Sequence, residues 1–380
     1  MPTNRSSFCR LLSPLTFKPA TAALALTLGL ALSQAQPQVA TNGQVTFRLR
    51  APNAQTVKLR CEGIGEATLQ KDDKGLWTFT SRPLEPDIYT YSFDVDGLRT
   101  IDLSNPFQKY NLLNCDSQVH VPGPASLPWE LNDVPHGQVH RHFYHSKAAD
   151  DDRDFYVYTP PGYNPRAWKH YPALYLLHGY SDDASAWVAA GRANVILDNL
   201  IAQGKAKPMI VVMPLGYGTM EILRAGWTRV RNQDLWQRNQ DNFQEALLTE
   251  VIPQVEKAYR VQSKPASRAI AGLSMGGAES LYAGLNNPDK FAWVGAFSSA
   301  VWGTNSAKAF TGLNAGANQQ FRLIWIGCGE QDGLLKGNQE FCGWLKSIGV
   351  NHTWVQTPGE HSFRVWRRYL AEFAPLLFQK

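Results

Sequence analysis

The sequence predicts an α/β fold: a mostly parallel sheet covered by helices, preceded by a small all-β sandwich. Three observations predict it. Between Arg153 and Gln356, short runs of continuous apolar residues alternate with segments of helical spacing, as strands buried on both faces of a parallel sheet do. Before residue 119 the runs instead alternate apolar and polar and are separated by turn residues, the pattern of half-buried strands. Third, Gly272-Leu273-Ser274-Met275-Gly276 lies between an apolar strand and a run with helical character, the setting that gives Gly-x-Ser-x-Gly its meaning.

At 380 residues the chain exceeds the ~100–200 residues of one domain, so two are expected. Apolar residues make up 44% and charged residues 18%, which supports a packed core and excludes a disordered or collagen-like chain. Net charge is +5, but Arg5, Arg10 and Lys18 lie in an N-terminal stretch without acids, and setting them aside leaves 34 basic against 32 acidic side chains. So balanced a chain has no electrostatic reason to bind nucleic acid.

Residues 1–35 read as a secretory leader. Arg5, Arg10 and Lys18 form its basic part; Ala20 to Leu32 is small and apolar apart from Thr21 and Thr27, and Ser33-Gln34-Ala35 ends it with small residues at the positions a signal peptidase reads. The apolar run is well short of the ~20 residues that span a bilayer. Cleavage after Ala35, a secreted or periplasmic protein and no membrane contact after cleavage are the expectations; an uncleaved anchor is the alternative. Cys61, Cys115, Cys328 and Cys342 then remain, an even number that permits disulfides without requiring them.

From Val45 to about Asp116, Val45-Thr46-Phe47-Arg48-Leu49, Val57-Lys58-Leu59, Leu76-Trp77-Thr78-Phe79 and Ile88 to Val95 alternate, with turns at Asp73-Lys74-Gly75 and Asp96-Gly97. The last strand puts Ile88 and Thr90 on one face and Tyr89, Tyr91, Phe93 and Val95 on the other. Phe47 to Ala54, Gly75-Leu76-Trp77, Tyr89 to Phe93 with Asp96-Gly97, and Asp102 to Asn105 resemble the early-set, immunoglobulin-like modules of glycan-active enzymes (carbohydrate-binding module family 48). The resemblance implies an immunoglobulin-like sandwich over 36–118, which either binds glycan or only packs against its neighbour. Val121 to Pro128 carries three prolines, which deny backbone donors and favour extended chain, so 119–135 reads as a linker and 136–380 as the second domain.

In that domain Arg153 to Tyr158, Ala173 to Leu177, Ile210 to Val212, Ala269 to Gly272 and Leu323 to Ile326 read as strands, and Ala193 to Gln203 and Phe243 to Tyr259 as helices. A strand turning sharply into a helix around Ser274 lifts the hydroxyl above the sheet. The flanking glycines leave room for that bend.

A serine needs an imidazole base and an orienting carboxylate, in the chain order Ser, acid, His on this fold. Only His352 and His361 lie downstream. His361 sits in Pro358-Gly359-Glu360-His361-Ser362-Phe363, after the Thr353–Gln356 strand, where a base must stand, whereas His352 precedes that strand. Glu330 and Asp332 both follow the Leu323–Ile326 strand, and residue chemistry alone does not separate them; Asp332, beside Gly333, is preferred. Leu177-His178-Gly179-Tyr180 ends another buried strand, so the backbone N–H groups of Tyr180 and Met275 are the expected oxyanion donors. His178 lies upstream of Ser274 and reads as structural. Tyr180, Trp187, Trp227 and Trp302 are candidate stacking surfaces for an aromatic or sugar ring. The histidines lack zinc-ligand spacing, so neither metal nor cofactor is expected.

With these residues in place, 136–380 resembles the esterase D-like branch of the α/β-hydrolases, which includes carbohydrate esterase family 1. Tyr158-Thr159-Pro160-Pro161-Gly162-Tyr163, His178-Gly179-Tyr180 through Trp187, and Gly359 to Phe363 through Trp366 carry the likeness, and the family's acid falls on Asp332. Together with the early-set region, the chain is most similar to two-domain bacterial feruloyl esterases. The resemblance implies a secreted serine carboxylester hydrolase acting through an acyl-enzyme on plant cell-wall polysaccharide esters such as feruloylated arabinoxylan. Acetyl-xylan esterase and siderophore esterase are the alternatives; a glycan-binding protein with a decayed hydrolase domain is the competing class. Tyr180-Ser181-Asp182-Asp183 replaces a stretch that is glycine-rich in relatives, which leaves the acyl pocket's shape open.

Overall fold

The computed structural model describes residues 36–230, 233–301 and 306–379; the expected leader and Trp302 lie outside the described residues. The N-terminal region is two facing antiparallel sheets. Gln38–Val39, Val45–Arg50, Leu76–Thr80 and Gln70–Lys71 form one; Gly65–Thr68, Val57–Cys61, Asp87–Val95, Asp116–Val121 and Gln108–Lys109 form the other, with Leu98–Thr100 paired to Asp87–Val95. Phe47, Leu59, Trp77, Tyr91 and Phe93 fill the space between them. The alternation in Asp87–Val95 sends Tyr89, Tyr91 and Phe93 into that core, while Ile88 on the opposite face joins the core of the second domain. Asp102 and Asn105 are buried around the Tyr91 hydroxyl, which donates to Asp102 Oδ2 at 2.7 Å and accepts from Asn105 Nδ2 at 2.9 Å.

The sandwich extends past residue 118, because Ser117 to Val121 pair with Tyr91 to Asp87. The proline-rich segment after Val121 is no free spacer. Trp129 is buried in the core of the second domain and Leu127 packs against it, and the Asn199 amide donates to the carbonyls of Pro128 and Glu130 at 2.8 Å each. Proline ends strand pairing, but two large apolar side chains still gain by leaving water.

The second domain is built on an eight-stranded sheet: β1 (Gln138–Ser146), β2 (Asp151–Thr159), β3 (Ala173–Leu177), β4 (Ile210–Pro214), β5 (Arg268–Leu273), β6 (Trp293–Phe297), β7 (Leu323–Gly329) and β8 (Thr353–Thr357), in the order β1-β2-β4-β3-β5-β6-β7-β8. β1 and β2 are antiparallel to their neighbours, and β4 to β8 with β3 are parallel. The central strands β3 to β6 are buried throughout, with apolar clusters on both faces of the sheet. Covering helices include α1 (Ala193–Ala202), α2 (Gln233–Ala246), α3 (Ser274–Asn286), α4 (Leu335–Ser347) and α5 (Phe363–Phe373). The helix expected from Phe243 is already formed at Gln233 and continues through a π-helical turn, Leu247–Val251, into Ile252–Ala258. Its first turns are polar, so no apolar stripe announces them.

The two regions are joined by charge. Asp87, fully buried at the start of its strand, accepts from Arg367 Nη2 at 2.6 Å and lies 2.7 Å from Arg368 Nη1. Arg367, itself buried, also donates to the backbone carbonyls of Ile88 and Ala190. Cys61, Cys115, Cys328 and Cys342 are free thiols. Among the described residues no helix is long and apolar enough to cross a membrane.

Candidate active site

β5 runs directly into α3, and Ser274 is the first residue of that helix. Its φ is +54°, in the left-handed region that costs an L-residue energy and persists where the surroundings enforce it. The bend tolerates no bulk behind it: a Cβ on Gly276 would stand 2.3 Å from the His178 carbonyl oxygen. Loops after β5, β7 and β8 therefore meet at the carboxyl ends of the strands, where open α/β sheets place their sites.

There the Ser274, His361 and Asp332 side chains form one hydrogen-bonded chain. His361 Nε2 lies 3.0 Å from Ser274 Oγ, and Nδ1 lies 2.8 Å from Asp332 Oδ2. The order assigns the tautomer: Nδ1–H donates to the carboxylate, leaving Nε2 to accept the serine proton. Asp332 Oδ1 accepts the Leu334 N–H at 2.8 Å. Burial opposes the charge on Asp332, but the hydrogen bond and charge of His361, the Leu334 N–H and the Ser298 hydroxyl outweigh it and hold the carboxyl below its ordinary value. Glu330, the other candidate acid, is exposed. His352 bonds through Nδ1 to the Val350 carbonyl, at the far edge of the sheet.

The loop after β3 closes the site from the other side. A Cβ on Gly179 would lie 3.2 Å from Ser274 Cβ, so the Gly179–Tyr180 peptide passes against the serine. Its carbonyl is tied back: His178 Nδ1–H donates to Gly179 O at 2.8 Å, and the Asp182 N–H at 3.3 Å. A trans peptide points its N–H opposite to its carbonyl, so anchoring Gly179 O fixes the direction of the Tyr180 N–H. Met275 N–H belongs to the first turn of α3, where donors have no acceptor within the helix. His178 Nε2 accepts the Gly216 N–H at 2.8 Å, and burial holds this imidazole below its ordinary pKa, keeping it neutral in the role of a brace.

The family model described as "Putative esterase" matches residues 146–376. The chain belongs to that esterase family. It is 29% identical, over 91% of its length, to the "Endo-1,4-beta-xylanase/feruloyl esterase" of Xylanibacter ruminicola; the match covers 46% of that protein, so the chain spans about half of it. The structure is similar to a ferulic acid esterase of carbohydrate esterase family 1 from Anaeromyces mucronatus, with a TM-score of 0.58, 24% identity and coverage of 67% of this chain and 96% of that one. It is also similar to an enterobactin esterase from Shigella flexneri, with a TM-score of 0.67, 20% identity and coverage of 91% and 97%. At these identities the two solved structures share the fold.

The esterase domain treats the candidate aromatic residues unequally. Trp227 lies beside Tyr180, ring centroids 4.7 Å apart, and both pack on the cluster of Met275, Tyr217, Ile222 and Leu223. Trp187 is core instead: it is 1% exposed, donates its indole N–H to the Leu177 carbonyl at 2.9 Å and packs edge-on against Phe297 and Phe363. No face of it is left for a ligand.

Sequence reasoning missed the residues that support the site from the sandwich. Lys109 Nζ reaches Asp182 Oδ1 at 2.9 Å, Asn111 Nδ2 bonds Ser181 Oγ and Asp182 Oδ1 at 2.9 and 3.0 Å, and the Leu112 N–H donates to the Ser181 carbonyl at 2.7 Å. Burial works against the Lys109 charge, and Asp182 more than restores it. The unusual Ser181-Asp182 pair is thus the acceptor for another domain. Its composition is visible in the sequence; its partner is not.

Below the serine, Glu279 of α3 is fully buried, with Oε1 accepting from Asn239 Nδ2 at 3.0 Å and Oε2 without a partner. Burial pushes this carboxyl well above the usual range, against the Asn239 hydrogen bond and the Arg153 charge. A carboxyl whose folded pKa exceeds its unfolded one stabilises the fold below the ordinary carboxylate range and loses that contribution as pH rises toward the raised value. Glu279→Gln, isosteric with the neutral acid, is therefore expected to gain stability over the parent as pH rises from about 5 to 8. Thermal midpoints of both proteins across that range check this; a gap that stays constant with pH would contradict it.

Proposed function

We propose that this chain is a secreted serine carboxylester hydrolase that removes feruloyl or related hydroxycinnamoyl groups from arabinoxylan side chains through an acyl-enzyme. The observation that carries the reading is the continuous Ser274–His361–Asp332 hydrogen-bond chain at a strained strand-to-helix bend. Ser274 Oγ attacks the ester carbonyl carbon while His361 Nε2 takes its proton. The charge on the carbonyl oxygen is met by the Tyr180 and Met275 N–H groups; a donor of this kind supplies about 3–4 kcal/mol of transition-state stabilisation. His361 then delivers the proton to the departing sugar hydroxyl as the C–O bond breaks. Asp332 holds the tautomer and stabilises the imidazolium. Water, deprotonated by His361, attacks the acyl-serine and releases the acid.

The acyl group is read from the wall beside Ser274. Tyr180 and Trp227 over Met275 and Ile222 offer an apolar, aromatic surface suited to a cinnamoyl ring. Similarity to the xylanase/feruloyl esterase runs over 91% of the chain, the β-sandwich included, and supports the same substrate class. Export rests on the leader read in residues 1–35. A second reading, hydrolysis of an enterobactin-type siderophore ester, is favoured by the fold likeness to the enterobactin esterase, which covers 91% of this chain and 97% of that one.

Initial rates on methyl ferulate, acetylated xylan and a siderophore lactone, measured side by side, test the assignment. Methyl ferulate is expected to turn over fastest. Deacetylation without cinnamate turnover, or hydrolysis of the lactone alone, would replace the feruloyl assignment.

A further inference from the structure

We propose that the β-sandwich takes part in catalysis: Lys109 and Asn111 are positioning residues that hold the loop after β3 in the shape that aims the Tyr180 N–H at the oxyanion. The proposal rests on reading Ser274 as the nucleophile and the Tyr180 N–H as an oxyanion donor.

The loop carries a strained residue. Ser181, next after Tyr180, has φ +69°; glycine adopts that conformation freely and an L-residue does not. It persists where the surroundings enforce it, and the enforcing contacts come from the sandwich. The Leu112 N–H donates to the Ser181 carbonyl at 2.7 Å, and the Asn111 amide donates to Ser181 Oγ at 2.9 Å and to Asp182 Oδ1 at 3.0 Å. Asn111 Oδ1 accepts the N–H groups of Leu113 and Asn114, at 3.0 Å each, which fixes the amide's orientation with its two donors toward the esterase domain. Asp182 is 4% exposed, and Lys109 Nζ, 2.9 Å from the same Oδ1, supplies its counter-charge. Asp182 in turn donates its N–H to the Gly179 carbonyl at 3.3 Å, and its own carbonyl accepts the Tyr217 hydroxyl at 3.0 Å. Gly179 O and the Tyr180 N–H belong to one trans peptide and point opposite ways. The position of Asp182 therefore sets the direction of the donor.

Lys109 also faces the other half of the site. Its Nζ stands 5.2 Å from the centre of the Phe363 ring, the first residue of α5. Phe363 packs edge-on against Trp366, which stands edge-on to the His361 imidazole, with centroids 5.1 and 4.8 Å apart. One ammonium thus lies between the loop that carries Tyr180 and the helix that follows His361. Its backbone is anchored elsewhere: Lys109 pairs with Asp116 in the sandwich sheet. A glycine at 181 would adopt this φ unaided; the serine here needs a clamp, and the sandwich supplies it.

Hydrolysis of p-nitrophenyl acetate tests this, because a small activated ester reads the serine and its oxyanion donors without the sugar. At a temperature where each variant is fully folded, Asn111→Ala and Lys109→Met are expected to lower kcat by about 10- to 100-fold, the scale of a misplaced catalytic group. KM should stay within about twofold. Inhibition by phenylboronic acid, whose serine adduct places an oxygen among the same donors, is expected to weaken by a similar factor. A merely structural role would leave both quantities unchanged in the folded protein. Lys109→Arg keeps the charge and is expected to recover most of the loss. Folded Asn111→Ala and Lys109→Met proteins with the parent's kcat and boronate affinity would overturn the proposal. So would a raised KM at unchanged kcat, which would make the segment a binding surface only. Should Lys109→Met not fold, Asn111→Ala, which leaves the Lys109–Asp182 ion pair in place, is read alone. Failure of the underlying reading would look different: Ser274→Ala would retain hydrolysis and phenylboronic acid would not inhibit the parent, and the proposal would fall with it.

Discussion

Ser274→Ala is expected to lower kcat on methyl ferulate by about ten-thousandfold or more, with the fold intact. The size follows from the loss of a covalent route: without Oγ no acyl-enzyme forms, and only the oxyanion donors and substrate binding remain to assist water. Alanine meets the same backbone strain at φ +54° as serine, so the thermal midpoint should scarcely move. The check is a pair of measurements on one preparation, hydrolysis rate and thermal unfolding. Parent-level hydrolysis by a folded variant would end the proposed mechanism. His361→Ala should be nearly as damaging and the double variant little worse than either, because the residues act as a unit.

The second large effect is structural. Arg367→Leu is expected to destabilise the protein by about 3–5 kcal/mol, the usual result of removing one partner of a buried ion pair. Asp87 is 0% exposed and Arg367 1% exposed, so neither charge has water to fall back on. Arg368 and Arg364 also face Asp87, at 2.7 and 3.8 Å, but neither can take over the bonds of Arg367 to the Ile88 and Ala190 carbonyls. These contacts bind the sandwich to α5, the helix that follows His361, so activity should be lost at lower denaturant than in the parent. Urea titrations followed by fluorescence and by residual hydrolysis measure both. A midpoint shift worth less than about 1 kcal/mol would mean that the cluster contributes geometry without stability.

Legibility in the sequence tracks the range of the interactions. β3 and β5 are legible because continuous apolar runs mark strands covered on both faces. β6 and β1 are not: Trp293-Val294-Gly295-Ala296-Phe297 holds two small residues, and β1 is an edge strand of mixed polarity. Ser274, Asp332 and His361 stand out through short motifs at strand ends, and the structure brings those three side chains together. Trp187 is a candidate by position alone. Burial in the core, which no neighbouring residue announces, removes it from the site.

The sequence by itself determined the α/β class, the sandwich before it and the placing of Ser274, Asp332 and His361 at strand ends, because each is written in a local pattern: a period of two, a continuous apolar run, or a bend that demands glycine. Only the tertiary structure decided that Lys109 and Asn111 of the sandwich brace the loop beside Tyr180, that Asp87 is the counter-ion of Arg367, and that the Trp366 indole donates to the Ser298 hydroxyl. These are single contacts between residues far apart in the chain. Each depends on a charge or hydroxyl finding its complement when two surfaces close over it and exclude water, which is a property of the packed surfaces and of neither segment alone.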